Sequence, residues 1–372
     1  MTGRTHWENC LTHFDDGVEH FIAEYFSSAD RKCLLIAGAG FDPRARLVAN
    51  RLAAAMGDRL YGLFVREDRG DPAVNLRTLA DDNEKQLRSI VKRCEVETIR
   101  IFSPDDNAAV GGQRMTSLLR TFHWPKDLTD IVLDMSALSM GVGFPAARML
   151  IEWCEENPAL NLHLMIASNP ELDDRIVGEP ASQAQAVRGF AGPSSFQEMP
   201  IARIWLPQLG RGRVETLRKI RATHDSIYKV CPVVPFPARN PRRADELLSE
   251  YQPALVDEWK VDARDYIYVS ERNPLDCYRT VSILKKRYDK TVKEVFFPQI
   301  ILSPLGSRVI AAGAMMAAVE HDLAVHYVET LRYEFKGTAS GTRPQSKEMI
   351  VHIWIHGPIY AGYPGPGTRS AA

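Results

Sequence analysis

Cysteine pairing, excess charge and long apolar runs are all missing from this sequence. Its six cysteines are spread over 372 residues with no CxxC spacing. Several stand in apolar runs, where cysteine acts as a small buried hydrophobe, so the chain reads as a cytoplasmic protein without a disulfide framework. Forty-six basic against 47 acidic side chains leave a net charge of −1. That balance offers no electrostatic handle for nucleic acid or a membrane surface. No apolar stretch reaches the roughly 18 residues of a membrane helix. The first residues, with His6, Glu8, Asp15 and Asp16, lack the apolar core of a signal peptide. GxSxG, Walker A and HExxH motifs are absent, and no nucleophile stands beside a marked general base. Hydrolase chemistry therefore has little support, and the sequence names no reaction. His352 and His356 share a strand face at more than ligand separation, while His163 and His326 read as sheet residues. No metal is expected.

What is present is the composition of an ordinary globular protein, 45% hydrophobic and 25% charged, with length enough for two cores. One stretch organises the rest. Lys32-Cys33-Leu34-Leu35-Ile36-Ala37 is an apolar run fit for a buried strand, and it ends at Gly38-Ala39-Gly40. Gly38 and Gly40 permit a sharp turn and close approach of a ligand. Pro43 suits the first turn of a helix, whose free N–H groups attract anions.

Strands alternate with helices on either side of an irregular segment, which predicts an α/β fold of two tandem Rossmann-like halves with mainly parallel sheets. The N-terminal half covers 1–170 and opens with an amphipathic helix over 7–29. A Pro- and Gly-punctuated linker spans 171–199, and the C-terminal half covers 200–356, ending in an alternating strand over 347–356. Residues 357–372 read as a frayed tail. Leu35 matches Ile204, Leu133 matches Ile301 and Leu164 matches Val325, at offsets of 169, 168 and 161 residues. Near-constant offsets suggest a divergent duplication.

Ligands of open parallel sheets collect beyond the strand ends where strand order reverses, between the first and fourth strands. In the first half this point gathers Gly38, Gly40, Asp42, Arg44, Asp134 and Ser136. Arg44 could grip a phosphate as a fork, and Asp42 could accept from a ribose or cap the helix. In the second half it gathers Gln208–Arg213 with Ser303, Gly306, Ser307 and Arg308. The Ser303–Arg308 turn could cradle a phosphate, or Ser307 could simply cap a helix of small residues. Arg272, Asn273 and Asp276 follow the third strand, where they could read a base or form a capped helix with surface charges. Arg239-Asn240-Pro241-Arg242-Arg243 reads as a solvated loop.

Two families are echoed. Gly38-Ala39-Gly40-Phe41-Asp42-Pro43-Arg44 resembles the first motif of class I S-adenosylmethionine-dependent methyltransferases. That resemblance implies Glu67 or Asp68 on the ribose and Asp134 on the substrate side. The strand followed by Ser303-Pro304-Leu305-Gly306-Ser307-Arg308 is similar to CARF-type Rossmann-like sensor domains of bacterial antiviral systems. Paired copies of those domains bind a nucleotide. The first half departs from that pattern, since Asp134-Met135-Ser136-Ala137-Leu138-Ser139 lacks the basic residue. The expectation is a nucleotide-type ligand bound where Arg44 and Arg308 border a common cleft, in a defence-system sensor or accessory protein. A methyltransferase using S-adenosylmethionine is the alternative, and a scaffold that binds a partner, or itself, through helix 7–29 is the third.

Overall fold

A computed structural model describes residues 7–70, 72–193, 199–292, 294–336 and 348–360. The chain forms two compact units, Met1–Glu171 with Arg332–Ala372, and Leu172–Leu331. Both are α/β, with mostly parallel strands.

The first unit begins with a short strand β1 (Thr12–Phe14), helix α1 (Asp16–Phe21) and a π-helical continuation over Ile22–Phe26. The expected 7–29 helix is therefore only its middle. Thr12, His13 and Phe14 instead pair with a strand edge, because that edge would otherwise leave its N–H and C=O groups unmet. Next come β2 (Cys33–Gly38) and a 3₁₀ turn at Pro43–Arg46 that leads into α2 (Leu47–Met56). β3 (Leu60–Asp68), α3 (Val74–Ile90), β4 (Arg93–Arg100) and α4 (Gly111–Thr121) follow. β5 (Asp130–Asp134), α5 (Met140–Glu156) and β6 (Asn161–Ser168) complete the alternation. Every residue of β2 is buried, as a central strand with both faces covered requires. Each of Leu34, Leu35 and Ile36 contributes about 1.5–3 kcal/mol of hydrophobic stabilisation.

The second unit takes over within the short helix α6 (Pro170–Asp173). The expected linker is not structureless, since β7 (Ile176–Ala186) lies inside it. Residues 194–198 of that segment fall outside the described residues. The alternation then repeats: β8 (Ile201–Pro207), α7 (Val214–Ala222), β9 (Lys229–Val230) and β10 (Val233–Pro235), α8 (Arg243–Gln252), β11 (Ile267–Val269). It ends with α9 (Pro274–Thr291), β12 (Phe297–Ser303), α10 (Arg308–His321) and β13 (Ala324–Phe335). Trp205, Tyr251 and Trp259 anchor its core.

The parallel strands of the first sheet run β6-β5-β2-β3-β4, which is fifth, fourth, first, second, third in order of occurrence. The second unit repeats this as β13-β12-β8-β9, with β10 bridged to Gln208 just beyond β8 and paired to β11. The final strand, β14 (Met349–His356), departs from expectation. It pairs antiparallel with β6 and with β1, so it belongs to the first sheet rather than the C-terminal half. Of the expected tail, Pro358–Tyr360 forms a 3₁₀ turn tied by Tyr360 OH to the Trp354 carbonyl at 2.7 Å. Residues 361–372 lie outside the described residues.

Candidate functional site

Strand order reverses between β2 and β5 in the first unit and between β8 and β12 in the second, so each unit has its own crevice at the strand carboxyl ends.

In the first unit the polar side chains there are turned on one another. Asp42 accepts from the Arg44 backbone N–H, capping the turn that Pro43 opens. The same carboxylate takes the Arg44 fork, with Nε to Oδ1 at 2.9 Å and Nη2 to Oδ2 at 2.7 Å. Arg44 is fully buried, so the expected phosphate fork is spent within the loop. Asn83, from α3, donates to the carbonyls of Gly40 and Asp42 and fixes the loop from below. Asp134 accepts from the backbone and the hydroxyl of Ser136, whose Oγ in turn accepts from Ala167 N at 2.7 Å. Glu67 accepts from Ser139 N at the start of α5 and from Arg69 at 2.8 Å. The acidic groups that could meet a ribose or a substrate thus hold protein groups. The two glycines part company. A Cβ at Gly38 would stand 3.0 Å from the Ala137 backbone, whereas one at Gly40 would meet nothing within 4 Å.

In the second unit several of the expected site residues meet protein groups. Ser303 Oγ accepts from the Trp205 indole at 3.0 Å, deep in the core. Ser307 caps α10 by accepting from Ile310 N. Gly306 is small because Gln208 Cβ lies 3.3 Å from where its own Cβ would be. Asn273 caps α9, Asp276 accepts from Ser270 N at 2.7 Å and Arg272 is exposed. That loop is a capped helix start with surface charge.

Arg308 is different. It stands 3.6 Å from Asp173, longer than a hydrogen bond, and its side chain is 29% exposed. Asp174, the next residue, receives the Arg243 fork at 2.8 and 3.0 Å and lies 3.6 Å from Arg211. Three arginines from α10, α8 and the loop after β8 therefore converge on Asp173-Asp174. The pairing with Asp174 helps hold Arg243 charged despite burial. Buried Glu271 accepts from Arg239 N, and desolvation raises its pKa. Arg211, Arg242 and Arg243 also line a cleft of about 470 Å³, together with Glu246 and Glu250. The 239–243 loop is thus more than a solvated face. Asp173-Asp174 was invisible in the sequence because it lies in the apparent linker.

One further polar cluster crosses the first sheet. His13 Nδ1 lies 2.9 Å from His352 Nδ1, and His352 Nε2 lies 2.9 Å from His163 Nδ1. His163 Nε2 lies 3.1 Å from Asp130 Oδ1. The four residues stand on β1, β14, β6 and β5, so the arrangement could be found only once the strand order was known.

No protein-family model matches this chain, and no curated protein is similar to it. No helix among the described residues is long and apolar enough to cross a membrane. Among the same residues, no group of three or more His, Cys, Asp and Glu side chains could hold a metal ion.

Proposed function

We propose that the protein binds an anionic, nucleotide-type ligand at the crevice of the second unit, as a sensor or accessory factor rather than through a reaction of its own. The observation that carries this reading is the convergence of Arg308, Arg211 and Arg243 on Asp173-Asp174 at the strand carboxyl ends. Arg211, more than half exposed and 3.6 Å from Asp174, makes a contact that a phosphate can replace. A phosphate offers a guanidinium better geometry than a distant carboxylate. The first N–H groups of α10 point to the same end of the sheet, and the cleft beside Arg211 falls within the usual size of a ligand pocket. The Ser303–Arg308 turn and the repeated strand order support a role like that of the antiviral nucleotide sensors it resembles. The first unit, whose loop charges are paired internally, serves as the scaffold.

A thermal-shift screen against cyclic oligonucleotides, ATP, NAD and S-adenosylmethionine tests this. A nucleotide at a hundred times its Kd stabilises by about 2.7 kcal/mol, a shift of several degrees. Arg308→Ala and Arg211→Ala each abolish that shift while leaving the unliganded melting point in place. A shift with S-adenosylmethionine alone, lost in Asp42→Ala, overturns the reading in favour of a methyltransferase.

A further inference from the structure

Asp130 is fully buried and faces three donors: Tyr25 OH at 2.8 Å, the Thr129 hydroxyl and His163 Nε2. An ionised carboxyl only accepts, so His163 must carry its proton on Nε2 and accept on Nδ1. His352 then donates from Nε2 and accepts on Nδ1, and His13 donates from Nδ1. One tautomer of each ring satisfies all three links with every imidazole neutral. His163 and His352 are fully buried, while His13 on β1 is half-buried, with its Nε2 as the open end of the chain.

From this geometry we infer that the Asp130–His163–His352–His13 chain is a proton-operated latch that holds β1 and the helix behind it on β14. The protons can be counted. Three protons fill the three links. A fourth settles on His13 Nε2, and no link is lost. A fifth must place two N–H groups face to face in one link. At the inner end the Asp130 carboxyl already meets three donors, with the Arg31 guanidinium 3.8 Å away. The link that yields is the outer one, because β1 has only three residues and lies on the sheet edge. Among the described residues, the other titratable groups facing the chain are Tyr25, Cys33 and Asp15. Asp15 accepts from Ile350 N, while burial and Asp130 push the Tyr25 hydroxyl and the Cys33 thiol up, so neither supplies a proton. Burial, with the neighbouring rings, lowers His13 and His352. Burial outweighs Asp130 at His163.

Hydrogen-exchange mass spectrometry of the full chain between pH 8 and pH 5, corrected for intrinsic rates, reads the latch. Opening of residues 12–26 grows at least tenfold per pH unit below about pH 6, one proton for each factor of ten, while α3 keeps its protection. His13→Phe keeps the ring stack on Phe21, 4.6 Å away in the native protein, but removes the outer donor and the Nε2 that takes up the fourth proton. Its opening is shallower by about tenfold per pH unit. Opening of 12–26 together with α3, or an unchanged slope in His13→Phe, overturns the latch. Should that variant fail to fold, ring-carbon NMR of the wild type decides. Coupled titration of the three rings supports the latch, and three independent midpoints near 6.5 overturn it.

Discussion

His163 and His326 both stand on the fifth parallel strands of their sheets, yet they live in opposite surroundings. His163 is anchored to Asp130 and extended by His352 and His13. His326 stacks on His224 at 4.8 Å, and neither His326 Nδ1 nor His224 Nε2 finds a hydrogen-bond partner. Burial and His224 push His326 down to about 4, while Arg203 and Arg221 add to burial at His224. One architecture thus supports a fully satisfied polar chain in one unit and a merely tolerated polar pair in the other. The same split runs through the crevices. The first unit pairs its loop charges tightly inside the protein, whereas the second leaves Arg211 more than half exposed, 3.6 Å from Asp174. Repetition of a fold therefore does not carry a site with it.

The sharpest way to break this comparison is to remove one arginine from each crevice. Arg44→Ala strands a buried carboxylate and costs about 3–5 kcal/mol in urea unfolding. Arg308→Ala removes a partly exposed pair with Asp173 and costs below about 1 kcal/mol. Equal losses would mean that both crevices are structural. The next contrast lies in the glycines. A Cβ at Gly313 would stand 2.1 Å from the Pro274 carbonyl, where α10 lies against α9. Gly313→Ala should cost about 1–3 kcal/mol, against about 0.5 or less for Gly40→Ala at its open position.

The smallest effect concerns pH. Folding lowers the pKa of His13, His163, His224, His326, His352 and His356. The unfolded chain therefore binds protons first. The stability is fully present above the unfolded value near 6.5 and is lost as pH falls through the lower folded values. Each histidine contributes a slope of at most about 1.4 kcal/mol per pH unit. His224→Phe removes one such group and an unpaired polar atom, so unfolding of the second unit should become less acid-sensitive. The first unit should keep its slope. Unit-resolved hydrogen exchange checks both.

Much of the scaffold was legible from periodicity. The Cys33–Gly38 strand, the Asp130–Asp134 strand and the small-residue helix after Ser307 emerge where the apolar patterns put them. Capping was legible too, since Asp42, Asn273 and Ser307 each precede a helical start and accept from it. Long-range pairing was not. Nothing local tells residues 349–356 to cross to β6, because an alternating strand fits any half-buried sheet. The relay of histidines was hidden for that reason, its members being brought together only by strand order. The partner that Arg44 takes was hidden for another reason. A fork two residues from a carboxylate can close on it, and burial decides which partner it keeps.

The return of β14 to a place between β1 and β6 makes the first unit discontinuous in sequence, with the second inserted between its two segments of chain. On the ribosome the earlier strands must wait, their edge uncovered, until some 180 later residues have emerged. A chain cut after Leu331 would lack an inner strand of the first sheet and take away the Ile355 carbonyl that the Trp7 indole meets at 2.8 Å, so β14 is the closing stitch of the first domain to begin.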